Sequence, residues 1–209
     1  MTRKAAFLYQ DSLSQHSLSE SHPLKPLRLR YTFELLEAYG VFNLPQSSVV
    51  NPRAATDEEL LRFHTPSYLD AVRELSRGET EKISPETFGL GPGDNPVYEG
   101  MYEASAMSAG ASMKAVELLV SGEVDTAFSI SGGLHHAMPS FASGFCVFND
   151  PVIAIKALLL NGMRVAYVDI DCHHGDGVQQ AFYDSNDVLT ISIHESGAFL
   201  FPGTGFAQE

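Results

Sequence analysis

Apolar positions along this chain fall into two rhythms. Short β-branched or aromatic runs at residues 5–9, 49–50, 126–130 and 188–193, and the run that opens the stretch 164–177, read as strands. Between them the spacing turns helical. Leu29, Phe33, Leu36 and Tyr39 share one face over residues 27–39, and Gly40 stops the run. Thr56-Asp57-Glu58-Glu59 is a capping box that opens a short helix through Phe63. Pro66 starts another, with Tyr68, Leu69, Val72 and Leu75 inward. Residues 95–120 form a long Ala- and Ser-rich helix whose small side chains suit close packing, and residues 149–160 a further one that Gly162 ends. Strands alternating with helices predict a mostly parallel sheet covered on both faces, a three-layer α/β/α fold. Ligands of such sheets gather beyond the carboxyl ends of the strands.

Two segments are polar and longer than a connection needs. They are the Ser-rich 10–21 and the Gly/Pro-rich 77–96, and the first is expected to be a functional loop. There is no internal repeat and no inter-domain linker, so residues 1–209 read as one domain.

Composition narrows the partners. The formal net charge is -13, from 26 acidic and 13 basic residues, which argues against nucleic acid and is compatible with a cationic substrate. No stretch is apolar enough for a membrane span and the N-terminal apolar run is too short for a signal peptide, so the expected compartment is the cytoplasm. Neither Cys146 nor Cys172 suggests a disulfide framework.

The chemistry concentrates at two predicted strand ends. In Asp169-Ile170-Asp171-Cys172-His173-His174-Gly175-Asp176-Gly177, alternation places Asp169, Asp171 and His173 on one face. Two carboxylates and an imidazole on a buried face need something to offset their desolvation, and a divalent metal would do so. Gly175 and Gly177 let the chain turn closely. The same alternation turns Cys172 away from the site and into the core. In Ser131-Gly132-Gly133-Leu134-His135-His136-Ala137, paired histidines follow a Gly-Gly turn. Asp169 and Asp176 can each fix one imidazole's tautomer, giving a hydrolytic site around a metal-activated water. Ser143-Gly144-Phe145-Cys146 sets an aromatic near the same rim, with Cys146 a buried small hydrophobe. His16, His22 and His64 are expected to be ordinary loop or surface residues, and His194 a weaker site candidate.

These words resemble the metal-dependent histone deacetylase family of the arginase/deacetylase fold, with the bacterial acetoin-utilisation branch closest. The matching stretches are 132–137, 143–146, 149–150, 169–177, Phe201-Pro202-Gly203-Thr204-Gly205 and His22-Pro23-Leu24-Lys25-Pro26-Leu27-Arg28. The resemblance implies Asp171 and His173 as zinc ligands, with Fe2+ as the alternative metal. It implies His136 as general base and acid oriented by Asp176, and His135 as its electrostatic partner oriented by Asp169. Phe145 matches a wall of the acyl-lysine channel and the Gly144 carbonyl lies near substrate. Asp94 matches a rim aspartate that grips the substrate backbone, and Arg28 an arginine beneath the site. A structural K+ would be held by the main chain of Asp169 and His173 with Asp171, Ser192 and Ile193. The implied substrate is an acetylated lysine peptide or protein, or an acetylated polyamine.

The resemblance also places a third zinc ligand and a carbonyl-polarising tyrosine beyond Glu209. It inserts the last two strands of the sheet between the third and fourth. The expectation is therefore an N-terminal portion that lacks the sheet's centre and takes a second chain to complete it. Three other readings stay open: a non-catalytic binding or regulatory subunit, a two-manganese ureohydrolase, and a cysteine hydrolase using Cys146 or Cys172.

Overall fold

Strand β1 (Ala5–Leu8) lies between β2 (Ser47–Val50) and β3 (Thr126–Ser129), parallel to both. The computed structural model describes residues 3–16, 18–79, 81 and 83–209. Both faces of β1 are buried, which explains its unbroken apolar run. Phe7 packs toward Phe33 of helix α1 (Leu27–Ala38) and toward Phe42, with ring centroids 6.3 and 5.4 Å away. Ala6 and Leu8 pack on the other face against Ala111 and Leu118 of α4 (Met101–Val120). Helix, sheet and helix thus form the three expected layers.

Helix α4 begins later than its composition suggests, because Gly100, in a left-handed conformation at φ 81°, ends the preceding loop. Its small residues allow close approach. A Cβ at Gly110 would collide with the Arg53 carbonyl, and the Ala55 N–H reaches the Ala106 carbonyl at 2.8 Å. Helix α2 (Asp57–Leu60) carries the capping box, with Thr56 and Glu59 bonded reciprocally. Helix α3 (Pro66–Ser76) buries Tyr68, Leu69, Val72 and Leu75 as its spacing demands. Helix α5 (Asp150–Leu160) packs on α4 and completes the main core through Ile153 and Ala157.

A second parallel pair, β4 (Val165–Asp169) with β5 (Val188–Ser192), is covered by α5 and by α6 (Asp176–Phe182), a helix absent from the sequence reading. Its other face is open: Val168 is 56% and Leu189 60% exposed. Among the described residues β3 and β4 do not pair with each other, and Phe128 on β3 is 55% exposed. The break falls between the third and fourth strands, where the sequence reading placed the missing centre of the sheet. No helix among the described residues is long and apolar enough to cross a membrane.

Candidate active site

The carboxyl ends of β3 and β4 open into one cleft of about 770 Å3, lined by Arg28, His135, His136, Phe145, Asp169, Asp171 and His173, among others. The paired histidines owe their position to two buried side chains at the start of α5. Asp150 accepts the N–H groups of Gly133 (3.2 Å) and Leu134 (2.8 Å) and the Ser112 hydroxyl (2.5 Å). Burial raises its carboxyl pKa against the pull of those donors. Gly132 is required there, since a Cβ would press on the Asp150 carboxylate and the Ser112 hydroxyl. Asn149 donates to the carbonyls of His135 (3.1 Å) and Ala137 (2.9 Å) while its Oδ1 caps α5 at Val152 N–H.

Each imidazole then meets its own carboxylate. His135 Nδ1–H donates to Asp169 Oδ2 at 2.6 Å, and His136 Nδ1–H to Asp176 Oδ1 at 2.7 Å. Both tautomers are thereby fixed with Nε2 free. The rings stand 4.0 Å apart. Asp169 also accepts the Tyr167 hydroxyl at 2.6 Å and the Asp171 N–H at 3.0 Å. Burial alone would raise Asp169, but the bonds from His135, Tyr167 and Asp171 outweigh it and bring the carboxyl to about 2. Burial lowers His135, and the bond and charge of Asp169 reverse the sign, so its pKa is raised. Gly175 leaves room for the Asp169 carboxylate and Gly177 for the His135 carbonyl.

Strand β4 ends at Asp169, so Asp171 and His173 lie on the following turn and not on a strand face. His173 Nδ1 is 3.0 Å from Asp171 Oδ1, whose carboxylate also accepts the His173 N–H at 2.8 Å. Cys172 joins them: its Sγ is 3.3 Å from His173 Nδ1, and its side chain is exposed, not core. The alternation that buries Cys172 does not extend past the strand. Imidazole, carboxylate and sulfur are zinc donors, so the residues fit that metal. The expected K+ residues are close by: Ile193 N–H reaches the Asp169 carbonyl at 2.9 Å, and the Ser192 hydroxyl lies 2.8 Å from His194 Nδ1.

At the rim, Ser143 and Cys146 close a tight turn whose two central residues, Gly144 (φ 51°) and Phe145 (φ 70°), are both left-handed. This turn sets Phe145 against the ring of His22, 4.8 Å away and edge-on. His22 is buried, contrary to expectation. Its Nδ1 accepts Leu24 N–H and its Nε2–H donates to the Asp94 carbonyl, each at 3.1 Å, so it ties the Asp94 loop to Phe145. Arg28 lines both the cleft and a small cavity behind Phe145 and Leu134. His16, partly buried, lines that cavity too, and its ring lies parallel to Tyr98. His64 is also buried, bonded to Met138 and Asn149. Cys146 is buried, and burial pushes its thiol up to about 12.

Phe201, in the stretch Phe201-Pro202-Gly203-Thr204-Gly205, adds a second aromatic to the site. Its ring stands edge-on to His136 at 4.9 Å, and Gly144 leaves space for it. The turn that carries it is held by His174 Nδ1 to the Thr204 hydroxyl (2.8 Å) and by His194 Nε2–H to the Gly205 carbonyl (3.1 Å).

The family model for the histone deacetylase domain matches residues 22–209. The acetoin utilization protein AcuC of Bacillus subtilis (strain 168) is 41% identical over 208 residues, covering 99% of this chain and 53% of that protein. Histone deacetylase RPD3 of Saccharomyces cerevisiae is 40% identical over 204 residues, 97% of this chain and 46% of its own length. The crystal structure of an HDAC homolog from Aquifex aeolicus superposes with a TM-score of 0.88 at 34% identity, covering 99% of this chain and 55% of that one. The chain thus spans about half the length of the curated relatives it matches. It belongs to the histone deacetylase family.

Proposed function

We propose that this chain is the N-terminal, metal-binding portion of a zinc-dependent deacetylase that hydrolyses the acetyl amide of lysine or a related amine. The observation that carries this reading is the pair of imidazoles, each tied through Nδ1 to its own carboxylate, in one cleft with Asp171 and His173. Asp171 and His173 would hold the metal, Zn2+ in preference to Fe2+. When bound, that ion supplies Lewis-acid activation of water and of the amide carbonyl. His136 Nε2 takes the proton from the attacking water and returns it to the leaving amine, while Asp176 holds the ring and stabilises its charged form. His135 with Asp169 contributes a fixed electrostatic partner beside it. Phe145, Phe201 and the Gly144 carbonyl flank the acyl chain, and Asp94 grips the substrate backbone from the rim. A structural K+ near Asp169, Asp171, His173, Ser192 and Ile193 belongs to the same proposal. The net charge of -13 favours a cationic lysine peptide or polyamine over an acidic substrate. The histone deacetylase name of the yeast relative, and the SAHA complex of an HDAC homolog, support an acyl-lysine substrate.

A second reading, a subunit that acts only with a partner chain, is favoured by the unjoined β3 and β4 and by their exposed apolar residues. The two-manganese reading lacks support, because the one three-residue metal-capable group among the described residues holds a single carboxylate. Cys146 is too buried and too weakly acidic to be a nucleophile. Zinc content and turnover of an acetyl-lysine fluorogenic peptide, with a chelator control, test the leading reading. Chelator-sensitive turnover supports it. Zinc retained without turnover favours the subunit.

A further inference from the structure

Strand β4 places Tyr167 and Asp169 on one face, two residues apart. That repeat is about 6.6 Å along a strand, within the reach of a phenol and beyond that of a serine or threonine hydroxyl. The Tyr167 ring packs on the apolar cluster that α5 and α6 contribute through Val152, Ile155 and Val178, and its hydroxyl donates to Asp169 Oδ2 at 2.6 Å. His135 Nδ1–H donates to the same oxygen at 2.6 Å, and the Asp171 N–H to Oδ1 at 3.0 Å. The companion pair is built differently. Asp176 Oδ1 accepts His136 Nδ1–H (2.7 Å) and the Gly177 N–H (2.9 Å), and no hydroxyl reaches this carboxylate among the described residues.

We infer that Tyr167 is the positioning residue of the His135–Asp169 pair, holding the Asp169 carboxylate from the core so that Oδ2 faces the His135 ring. The inference rests on the deacetylase reading above for what His135 does, and on the hydrogen bonds alone for how it is held. A carboxylate turns easily about its terminal torsion. Two of the three donors to Asp169, His135 and the Asp171 N–H, belong to the very site that the carboxylate orients. Tyr167 brings the donor that is anchored in packed apolar side chains. Its bond is charge-assisted and shares the oxygen that His135 uses, so the hydroxyl sets both the direction and the strength of the imidazole bond. The two neighbouring imidazoles therefore differ in how they are held. His135 is tied through Asp169 and Tyr167 to the core, and His136 through Asp176 to the first turn of α6.

The test is proton NMR of the downfield Nδ1–H signals of the chain together with the segment or partner chain that completes its sheet. The signals are assigned by their loss in His135→Asn and His136→Asn. Tyr167→Phe keeps the ring and removes the hydroxyl. The expected result is a shifted His135 signal, because Oδ2 then serves one donor, with the His136 signal in place as the sign that the fold is intact. Tyr31→Phe, on the exposed face of α1, moves neither. In the same preparation, loaded with zinc, Tyr167→Phe lowers kcat for an acetyl-lysine peptide about tenfold and leaves KM unchanged. An unmoved His135 signal, a shift of both signals together, an unchanged kcat, or a rise in KM at constant kcat would overturn the inference. A shifted His135 signal in a protein that hydrolyses no acetyl-lysine peptide would support the positioning role and count against the deacetylase reading alone.

Discussion

His64 Nε2 accepts the backbone N–H of Asn149 at 3.0 Å, while its Nδ1–H donates to the Met138 carbonyl at 3.1 Å. One buried imidazole thus bridges the chain after the paired histidines and the residue that holds the His135 and Ala137 carbonyls. Burial drives its pKa down to about 4. The folded protein therefore keeps it neutral where the unfolded chain, titrating near 6.5, takes up a proton. Its contribution is complete above pH 6.5 and is lost as pH falls toward 4. The loss is roughly 1.4 kcal/mol per pH unit and about 3 kcal/mol in all. Urea unfolding at pH 7, 6 and 5 should show this slope in the parent protein and a shallower one in His64→Asn.

Asp150 is fully buried and serves three donors around the Gly132-Gly133 turn. Asp150→Ala leaves two backbone N–H groups and a hydroxyl without their acceptor. Chemical denaturation should report a loss of about 3 kcal/mol. Ser112→Ala removes one donor only and should cost about 1 kcal/mol.

Phe145 holds a left-handed backbone at φ 70°, unfavourable for an aromatic residue by about 1–3 kcal/mol. Glycine relieves that strain but loses the edge contact to His22, worth about 1 kcal/mol. Phe145→Gly should therefore change stability by no more than about 2 kcal/mol in either direction. If Phe145 walls the acyl channel as proposed, KM for an acetyl-lysine peptide should rise several-fold. Paired unfolding and steady-state measurements on one preparation check both halves.

Much of this was legible in the chain. Short β-branched runs and helical spacing match β1, β3, β5, α1 and α3 nearly to the residue, most clearly in α3, whose buried residues Tyr68, Leu69, Val72 and Leu75 fall on one periodic face. The carboxylate–histidine pairs were legible because each partner lies in a dense polar motif beyond a strand. What failed has identifiable causes. Helix α6 starts inside the Gly-Asp-Gly turn and is too short to show a period. Strand alternation points Cys172 into the core, but the strand ends at Asp169 and the alternation with it. His22 and His64 find backbone partners 72 and 85 residues away, and nothing local marks such contacts.

The most direct test of the deacetylase reading joins metal content to turnover in one preparation of the zinc-loaded chain together with the segment or partner chain that completes its sheet. The expected result is one zinc per chain and hydrolysis of an acetyl-lysine peptide that a chelator abolishes. His136→Asn should retain zinc and lose at least about a hundredfold in kcat. Hydrolysis indifferent to the chelator or to His136→Asn, or a fully zinc-loaded chain with no hydrolysis, would contradict it.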